Sequence, residues 1–323
     1  MMSARGETLS GDQQRVAVLA PGAVGGLLAA LLARRGHFVA CIARRPTVEI
    51  LQRDGLSLQS ELFGGFTVAV GACSELSQPV SACLVAVKGP DLESALQRLP
   101  PDLMGEGLVV PFLNGIEHVT LLRDRYGPGR VAPATIRVET TLKTIGRIRQ
   151  LSPFASIELS SSTAPADRVA ALSRMLIDAG LTVTVRTDEI NMLWEKLCFL
   201  APLALLTTEE QGSIGVVRQS RGDDLVSLVN EVTSVSRAVG AAVDGQRTLQ
   251  LLQGLPETMR SSMEQDASAG HPLEIEEIGG AVIRAARQHG LAIPVTIRVV
   301  DAIRTRYGTS RHHRGRRANR IPD

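Results

Sequence analysis

At 323 residues, the chain has room for two domains of about 150 residues each. Its 44% hydrophobic and 21% charged residues exclude a mainly disordered protein, and its 30 Gly without a three-residue period and four Cys exclude collagen-like and disulfide-scaffold classes. The net charge of +2 hides an asymmetry: residues 309–323 hold five Arg and one Asp, so that segment is +4 and the remainder −2.

Residues 1–14 are polar and read as an unstructured leader. Arg15–Leu19 is a short apolar, β-branched run and predicts a buried strand. Leu27–Arg35, rich in Leu and Ala, predicts a helix that Gly36 ends. Phe38–Ile42 predicts a second strand, so strand, helix and strand form a βαβ unit with parallel pairing. The pattern repeats through a helix at Glu49–Asp54, hairpin strands at Ser57–Gln59 and Phe66–Val70, and a buried strand at Ala82–Val87. A helix at Asp91–Leu99 and a strand at Leu108–Leu113 follow. Doubly wound α/β architecture is expected over this stretch. Residues 131–160, rich in Thr, Val and Ile, suit β-structure at the far side of the same sheet, followed by a helix over Ala166–Gly180 and a strand over Leu181–Val185.

After Asp188 the character changes. Glu189–Thr207, Gly222–Gly240, Pro256–Gly270 and Glu274–Gly290 carry helical periodicity, which predicts a mainly helical second domain. The expected organisation is a leader at 1–14, an α/β domain at 15–187, a helical domain at 188–308 and a disordered basic tail at 309–323. A polyanion-binding arm is the alternative reading of that tail. A body that lacks the positive excess argues against nucleic acid on the folded part, and 3% aromatic residues argue against a base-stacking surface.

Val16–Ala33 is an uncharged run of membrane-helix length, but Pro21-Gly22 and Gly25-Gly26 break it, and Glu7 and Asp12 before it are unlike a signal n-region. No membrane association is expected. Cys41, Cys73, Cys83 and Cys198 form no C-x-x-C or metal spacing and read as reduced thiols of a cytoplasmic protein. No metal site is expected.

The segment Ala20-Pro21-Gly22-Ala23-Val24-Gly25 joins the first strand to the first helix, where the dinucleotide fingerprint G-x-G-x-x-G belongs. There the second Gly lets backbone approach the pyrophosphate and the third lets helix and strand pack closely. Gly22 and Gly25 take those two places, and Ala20 takes the first. A plain helix-entry turn is the competing reading. At the end of the second strand, Ala43-Arg44-Arg45 offers guanidinium where NAD binding needs a carboxylate, which favours the 2′-phosphate of NADP(H). Otherwise these Arg only begin a solvated helix. The 35 basic residues include three Lys, at 88, 143 and 196. A Lys can be tuned to exchange a proton and an Arg cannot. Lys196 follows Trp194 and leads an apolar stretch, so it is the candidate proton donor, against the ordinary alternative of a surface lysine.

Taken together, the Gly-Ala-Val-Gly-Gly turn at 22–26, Ala43-Arg44, Val87-Lys88, Asn114-Gly115-Ile116, Trp194-Glu195-Lys196-Leu197, Ser261-Ser262-Met263 with Gln265-Asp266, and Glu274 twelve residues after Ser262 resemble the ketopantoate reductase (2-dehydropantoate 2-reductase) family over Arg15–Tyr307. The resemblance implies a Rossmann-type N-terminal domain and a mainly α-helical C-terminal domain like that of 6-phosphogluconate dehydrogenase. It further implies NADPH-dependent reduction of a 2-oxo acid at C2, as in pantothenate biosynthesis, with water excluded from a cleft between the domains. By position, Gly22 to Gly25 bind the pyrophosphate and Arg44 the 2′-phosphate, while Ala20, Pro21 and Lys88 lie against the cofactor. Asn114 sits by nicotinamide and substrate, Lys196 donates the proton, Ser262 contacts the substrate carboxylate and Glu274 contacts the cofactor. A homodimer is carried as an assembly option.

The chain departs from the family at Ala20, a mild change unless positive φ is required. It also departs at Leu200, Ala204 and Ile214, where pantoate-making members present Asn. The latter set predicts a greasier pocket than pantoate needs. Two other readings therefore stay open: a non-catalytic NADP(H)-binding sensor, and a reductase of another carbonyl or imine.

Overall fold

The computed structural model describes residues 14–308. The expectations for the leader and the basic tail fall, but for Gln14, outside the described residues. The chain divides into two compact units, one running to Leu113 and taking in His118–Met192, the other made of Asn114–Glu117 and the chain from Leu193 onward.

In the first unit, β1 (Arg15–Leu19), α1 (Ala23–Arg34), β2 (Phe38–Ile42) and α2 (Arg45–Asp54) lead into β3 (Leu56–Ser60), β4 (Phe66–Val68), β5 (Gly71–Cys73), β6 (Ala82–Val85), α3 (Leu92–Leu96) and β7 (Leu108–Pro111). Strands β5-β2-β1-β6-β7 form an all-parallel sheet. All of β6 and β7, and β1 after Arg15, are buried, as continuous apolar runs covered on both faces should be. Strand β1 has β2 on one side and β6 on the other, so the chain reverses its direction of travel across the sheet there. The carboxyl ends of such strands are where ligands bind in open α/β sheets. The apolar Val16–Ala33 run is thus a strand, a turn and a buried helix. Among the described residues, one helix, Glu189–Glu210, is long and apolar enough to span a membrane, and 61% of its most apolar window is buried inside the protein.

The next elements are α4 (His118–Tyr126), β8 (Ala134–Arg137), β9 (Thr140–Thr144), β10 (Arg147–Gln150), β11 (Ser156–Ser160), α5 (Ala166–Asp178) and β12 (Thr182–Arg186). The expectation that 131–160 extends the main sheet is corrected here. Among the described residues these strands build two further sheets, ordered β4-β3-β10-β9 and β12-β11-β8, joined to the main one by the isolated bridge Val109 to Val131. The cause is long-range. Strand β10 pairs in parallel with β3, Ser57 against Arg147, and Ile148 packs against Gly26 of α1. Thr and Ile content predicts strand but not partner.

Helix starts were also placed late. Helix α1 begins at Ala23, directly after Gly22, and α2 begins at Arg45, with a proline in its first turn, where a missing N–H costs nothing.

Ala20 meets the condition for more than a mild change. Its φ is +63°, so the turn does require the left-handed region that costs an L-residue about 1–2 kcal/mol. Backbone bonds hold it there: Ala20 N donates to the Ile42 carbonyl at 3.0 Å and Gly22 N to the Ala20 carbonyl at 2.7 Å. Ala20→Gly should relieve that strain, less what glycine adds to unfolded-chain entropy, for a net gain of about 0.5–1 kcal/mol. In a thermal melt this appears as a Tm rise of roughly 1–3 °C. A fall in Tm would show that Ala20 is not strained.

The second unit is helical: α6 (Glu189–Glu210), whose first residues group with the first unit, α7 (Ile214–Ser220), α8 (Gly222–Ala238), α9 (Gly245–Gln253), α10 (Ser262–Ser268), α11 (Ala281–Gln288) and α12 (Pro294–Tyr307). The division falls after Met192 rather than at 187 because Glu189 is tied to Arg123 at 2.8 Å and to the Ser160 hydroxyl at 2.9 Å. Helices α7, α9 and α12 were not among the predicted ones. The predicted helix from Pro256 shrinks to α10, which Ser261 caps by accepting from Glu264 N. A π-helical turn, Glu276–Gly280, runs into α11. Trp194, Leu197, Cys198, Ala201 and Leu205 of α6 sit in the core of this unit.

Candidate active site

In the first unit, a cavity of about 420 Å³ opens at the carboxyl ends of the parallel strands. Its lining includes Ala20, Pro21 and Gly22 after β1, Ile42 to Arg44 with Thr47 after β2, and Val87, Asp91, Ser94 and Arg98 after β6. Of the predicted loop residues, Ala20, Pro21 and Gly22 face this space. Ala23, Val24 and Gly25 form the first turn of α1 behind them.

The two glycines do different work. A Cβ built on Gly22 meets nothing closer than the Ala20 carbonyl at 4.0 Å, whereas one on Gly25 falls 2.6 Å from that carbonyl, 3.0 Å from Ala86 Cβ and 3.1 Å from Val18 Cγ1. Gly25 is therefore demanded by helix–strand packing. Gly22 leaves room for something outside the protein to approach the backbone. Helix α1 has no acidic residue in its first turn and no side chain capping it, so its N-terminal N–H groups are suited to an anion.

Arg44 lines the same cavity from the N-cap of α2, exposed, with Asp91 at 3.9 Å. Arg98 joins it. Its Nη1 donates to the carbonyls of Ala43 and Ser74, each at 3.1 Å, which pins the guanidinium at the ends of β2 and β5. Sequence reading missed Arg98 and Asp91 because only the sheet topology brings residues so far from Arg44 beside it. It also missed Leu142 and Ile145, exposed apolar side chains that complete the lining. Lys88 is exposed and precedes the short turn Gly89–Asp91 that carries Asp91 to the cavity.

The second unit holds the other predicted residues. Asn114 Nδ2 donates to Glu274 Oε2 at 2.8 Å, so two residues 160 positions apart meet. Glu274 is buried. Gly115 has φ +81°, and a Cβ there would lie 2.2 Å from the Glu277 carbonyl, so a side-chain-free residue is required for the chain after Asn114 to pack on the π-helical turn. Lys196 is half-buried on α6, between Trp194 and the fully buried Leu197–Cys198 pair. Ser262 is exposed at the first position of α10, while its neighbour Ser261 is buried and shares a 2.7 Å hydroxyl contact with Thr207 of α6.

The expected greasy pocket needs correction. Ala204 and Ile214 are fully buried in the core of the second unit, and only Leu200 keeps partial exposure. Two of the three positions thus present no surface to a substrate. Among the described residues no group of His, Cys, Asp and Glu could hold a metal ion.

Comparison with known proteins matches residues 16–162 to the family described as Ketopantoate reductase PanE/ApbA, and residues 189–307 to Ketopantoate reductase PanE/ApbA C terminal. A 2-dehydropantoate 2-reductase of Mycobacterium tuberculosis is 30% identical over 87% of this chain and 94% of its own length. One from Caulobacter vibrioides is 27% identical over 88% and 96%. Among solved structures, a PanE/ApbA family ketopantoate reductase from Ralstonia eutropha aligns with TM-score 0.84 at 27% identity, covering 92% of this chain and all of that one. A D-mandelate dehydrogenase with NADH and anilino(oxo)acetate aligns at 0.83 and 20% identity, covering 91% and 99%, which shows a shared fold. Two family matches that together span most of the chain, and a relative that covers nearly all of it, lead to one conclusion: the chain belongs to the ketopantoate reductase family.

Proposed function

We propose that the protein is an NADPH-dependent reductase that converts a 2-oxo acid to the 2-hydroxy acid, in the manner of a 2-dehydropantoate 2-reductase. The observation that carries the cofactor reading is the cavity in which an open Gly22 and two guanidinium groups, Arg44 and Arg98, share one lining. A phosphate dianion beside paired guanidinium groups gains charge-assisted, geometrically matched hydrogen bonds. When bound, NADPH supplies the hydride that reduces C2.

The chain's own groups do the rest. Gly22 and the N-terminal turn of α1 hold the pyrophosphate, and Arg44 with Arg98 holds the 2′-phosphate. Lys88 borders the cofactor. Lys196 gives its Nζ proton to the oxygen that becomes the alcohol. Glu274 contacts the cofactor, and it fixes the Asn114 amide by accepting one of its N–H bonds. Asn114 sits by the nicotinamide and the substrate carbonyl. Ser262 contacts the carboxylate.

The test is NADPH oxidation by purified protein against ketopantoate and a panel of more apolar 2-oxo acids, phenylglyoxylate included. Turnover with at least one of them is expected, with kcat/KM for NADPH above that for NADH by about 10²-fold, the upper end of what a hydrogen bond to a charged group contributes. Arg44→Ala and Arg98→Met should each erode that preference by raising KM for NADPH alone. Tight NADPH binding with no turnover on any oxo acid would turn the reading to a sensor. Equal use of NADH would remove the two arginines from cofactor choice.

A further inference from the structure

We propose that Arg284 is a positioning residue for this reaction: through Glu117 it fastens the segment Asn114–Glu117 to the start of the α11 helix and so holds the Asn114 amide in place. The inference rests on the reading that Asn114 contacts the substrate, and it concerns groups that this reading does not use.

The segment is seated at three points within four residues. Asn114 bonds Glu274 at 2.8 Å. Gly115 lies against the Glu277 backbone so closely that a Cβ has no room. Glu117 then receives a two-pronged contact, Arg284 Nε to Oε1 and Nη2 to Oε2, both 2.7 Å. The first contact, a single bond between two side chains, leaves the backbone beneath Asn114 free to shift. A bidentate guanidinium–carboxylate pair fixes direction as well as distance.

Arg284 is itself held. Its Nη2 donates to the Glu276 carbonyl at 2.6 Å and its Nη1 to Glu276 Oε2 at 3.2 Å. Arg304 grips the same Glu276 carboxylate from Nε at 2.8 Å and Nη2 at 2.9 Å. Gly280 makes the room, since a Cβ there would fall 2.5 Å from Glu276 Oε2 and 2.9 Å from Arg284 Nη1. The acidic and basic side chains around the turn therefore form one chain of contacts: Glu117, Arg284, Glu276 and Arg304.

Magnitudes separate positioning from stability. The Arg284 and Glu117 side chains are 40% and 51% exposed, and ion pairs in that range add about 0–1 kcal/mol to folding. A displacement of about 1 Å in a reacting group can cost on the order of 10²-fold in rate. Breaking the clamp should therefore be visible in turnover and nearly silent in melting.

The experiment is steady-state kinetics with NADPH and the best 2-oxo acid, with a thermal melt of each variant. Arg284→Met and Glu117→Gln are each expected to lower kcat/KM about 10-fold, with Tm within about 2 °C of the parent. Arg284→Lys should restore part of the loss. In an Asn114→Ala background, Arg284→Met should cost nothing further, because the group it positions is already gone. Parent-like kcat/KM in Arg284→Met, or a full additional loss in the Asn114→Ala background, would overturn the proposal. Parent-like turnover in Asn114→Ala alone would instead remove the reading of Asn114, and the clamp's role would fall with it.

Discussion

Lys196→Ala is expected to lower kcat by about 10³-fold, within the range that general acid–base groups contribute, while NADPH binding stays within about 2-fold of the parent. The chain uses arginine almost throughout for positive charge. Of its three lysines, Lys88 and Lys143 are exposed, and neither has an apolar stretch of helix around it. Lys196 is half-buried on α6, flanked by core residues Trp194 and Leu197, which are 4% and 1% exposed. Reduction of a carbonyl leaves an alkoxide, and an ammonium group can relieve it by giving up a proton. A guanidinium cannot, so Lys196→Arg should be as slow as Lys196→Ala although it keeps the charge. Cofactor binding should survive both changes because Lys196 is not among the described residues that line the cavity proposed for NADPH. Stopped-flow or steady-state rates with fluorescence titration of NADPH measure both quantities. Turnover near the parent rate in Lys196→Arg would mean that only charge is needed there, and Lys196→Ala at the parent rate would remove it from the chemistry.

What could be read from the sequence divides along the range of the interactions involved. The glycine turn, the first βαβ unit and the change to helix after Asp188 are set by residues within a turn or a strand of one another. Their pattern is visible without a structure. The partner of β10 is not, because Arg147 pairs with Ser57, ninety residues earlier. Arg98 and Asp91 joined Arg44 at the cavity for the same reason. Glu117 and Arg284 of the second unit pair across 167 positions for the same reason, and each charge taken singly reads as part of a solvated face.

Two other differences have a different origin. Ala20 is a mild change only where φ is negative, and its φ of +63° is a property of the turn that the residue type does not reveal. Ala204 and Ile214 were read as pocket lining from their place in a family pattern. Their complete burial makes them core residues of the helical unit. The inference from them to substrate polarity is correspondingly narrower and rests on Leu200.

The glycine loop is expected to separate binding from folding within four residues. Gly22→Ala is expected to leave the fold intact, since the added Cβ meets only the Ala20 carbonyl at 4.0 Å and φ at this position is −77°. It should weaken NADPH by about 10²-fold or more, because a methyl group now stands where the pyrophosphate must approach the backbone. Gly25→Ala is expected to do the reverse in the first instance. Its Cβ would press on the Ala20 carbonyl at 2.6 Å, an atom held by the backbone bond from Gly22 N at 2.7 Å. It would also crowd Ala86 and Val18 in the sheet below. Neither backbone nor a packed core can yield cheaply, so an overpacking cost of about 2–3 kcal/mol follows. The Tm should fall by roughly 4–10 °C. A pair of titrations and melts decides the matter. If Gly22→Ala binds NADPH as tightly as the parent, the pyrophosphate does not sit on this loop. If Gly25→Ala melts with the parent, α1 can move away from β1, and the close packing seen between them is not what the third glycine provides.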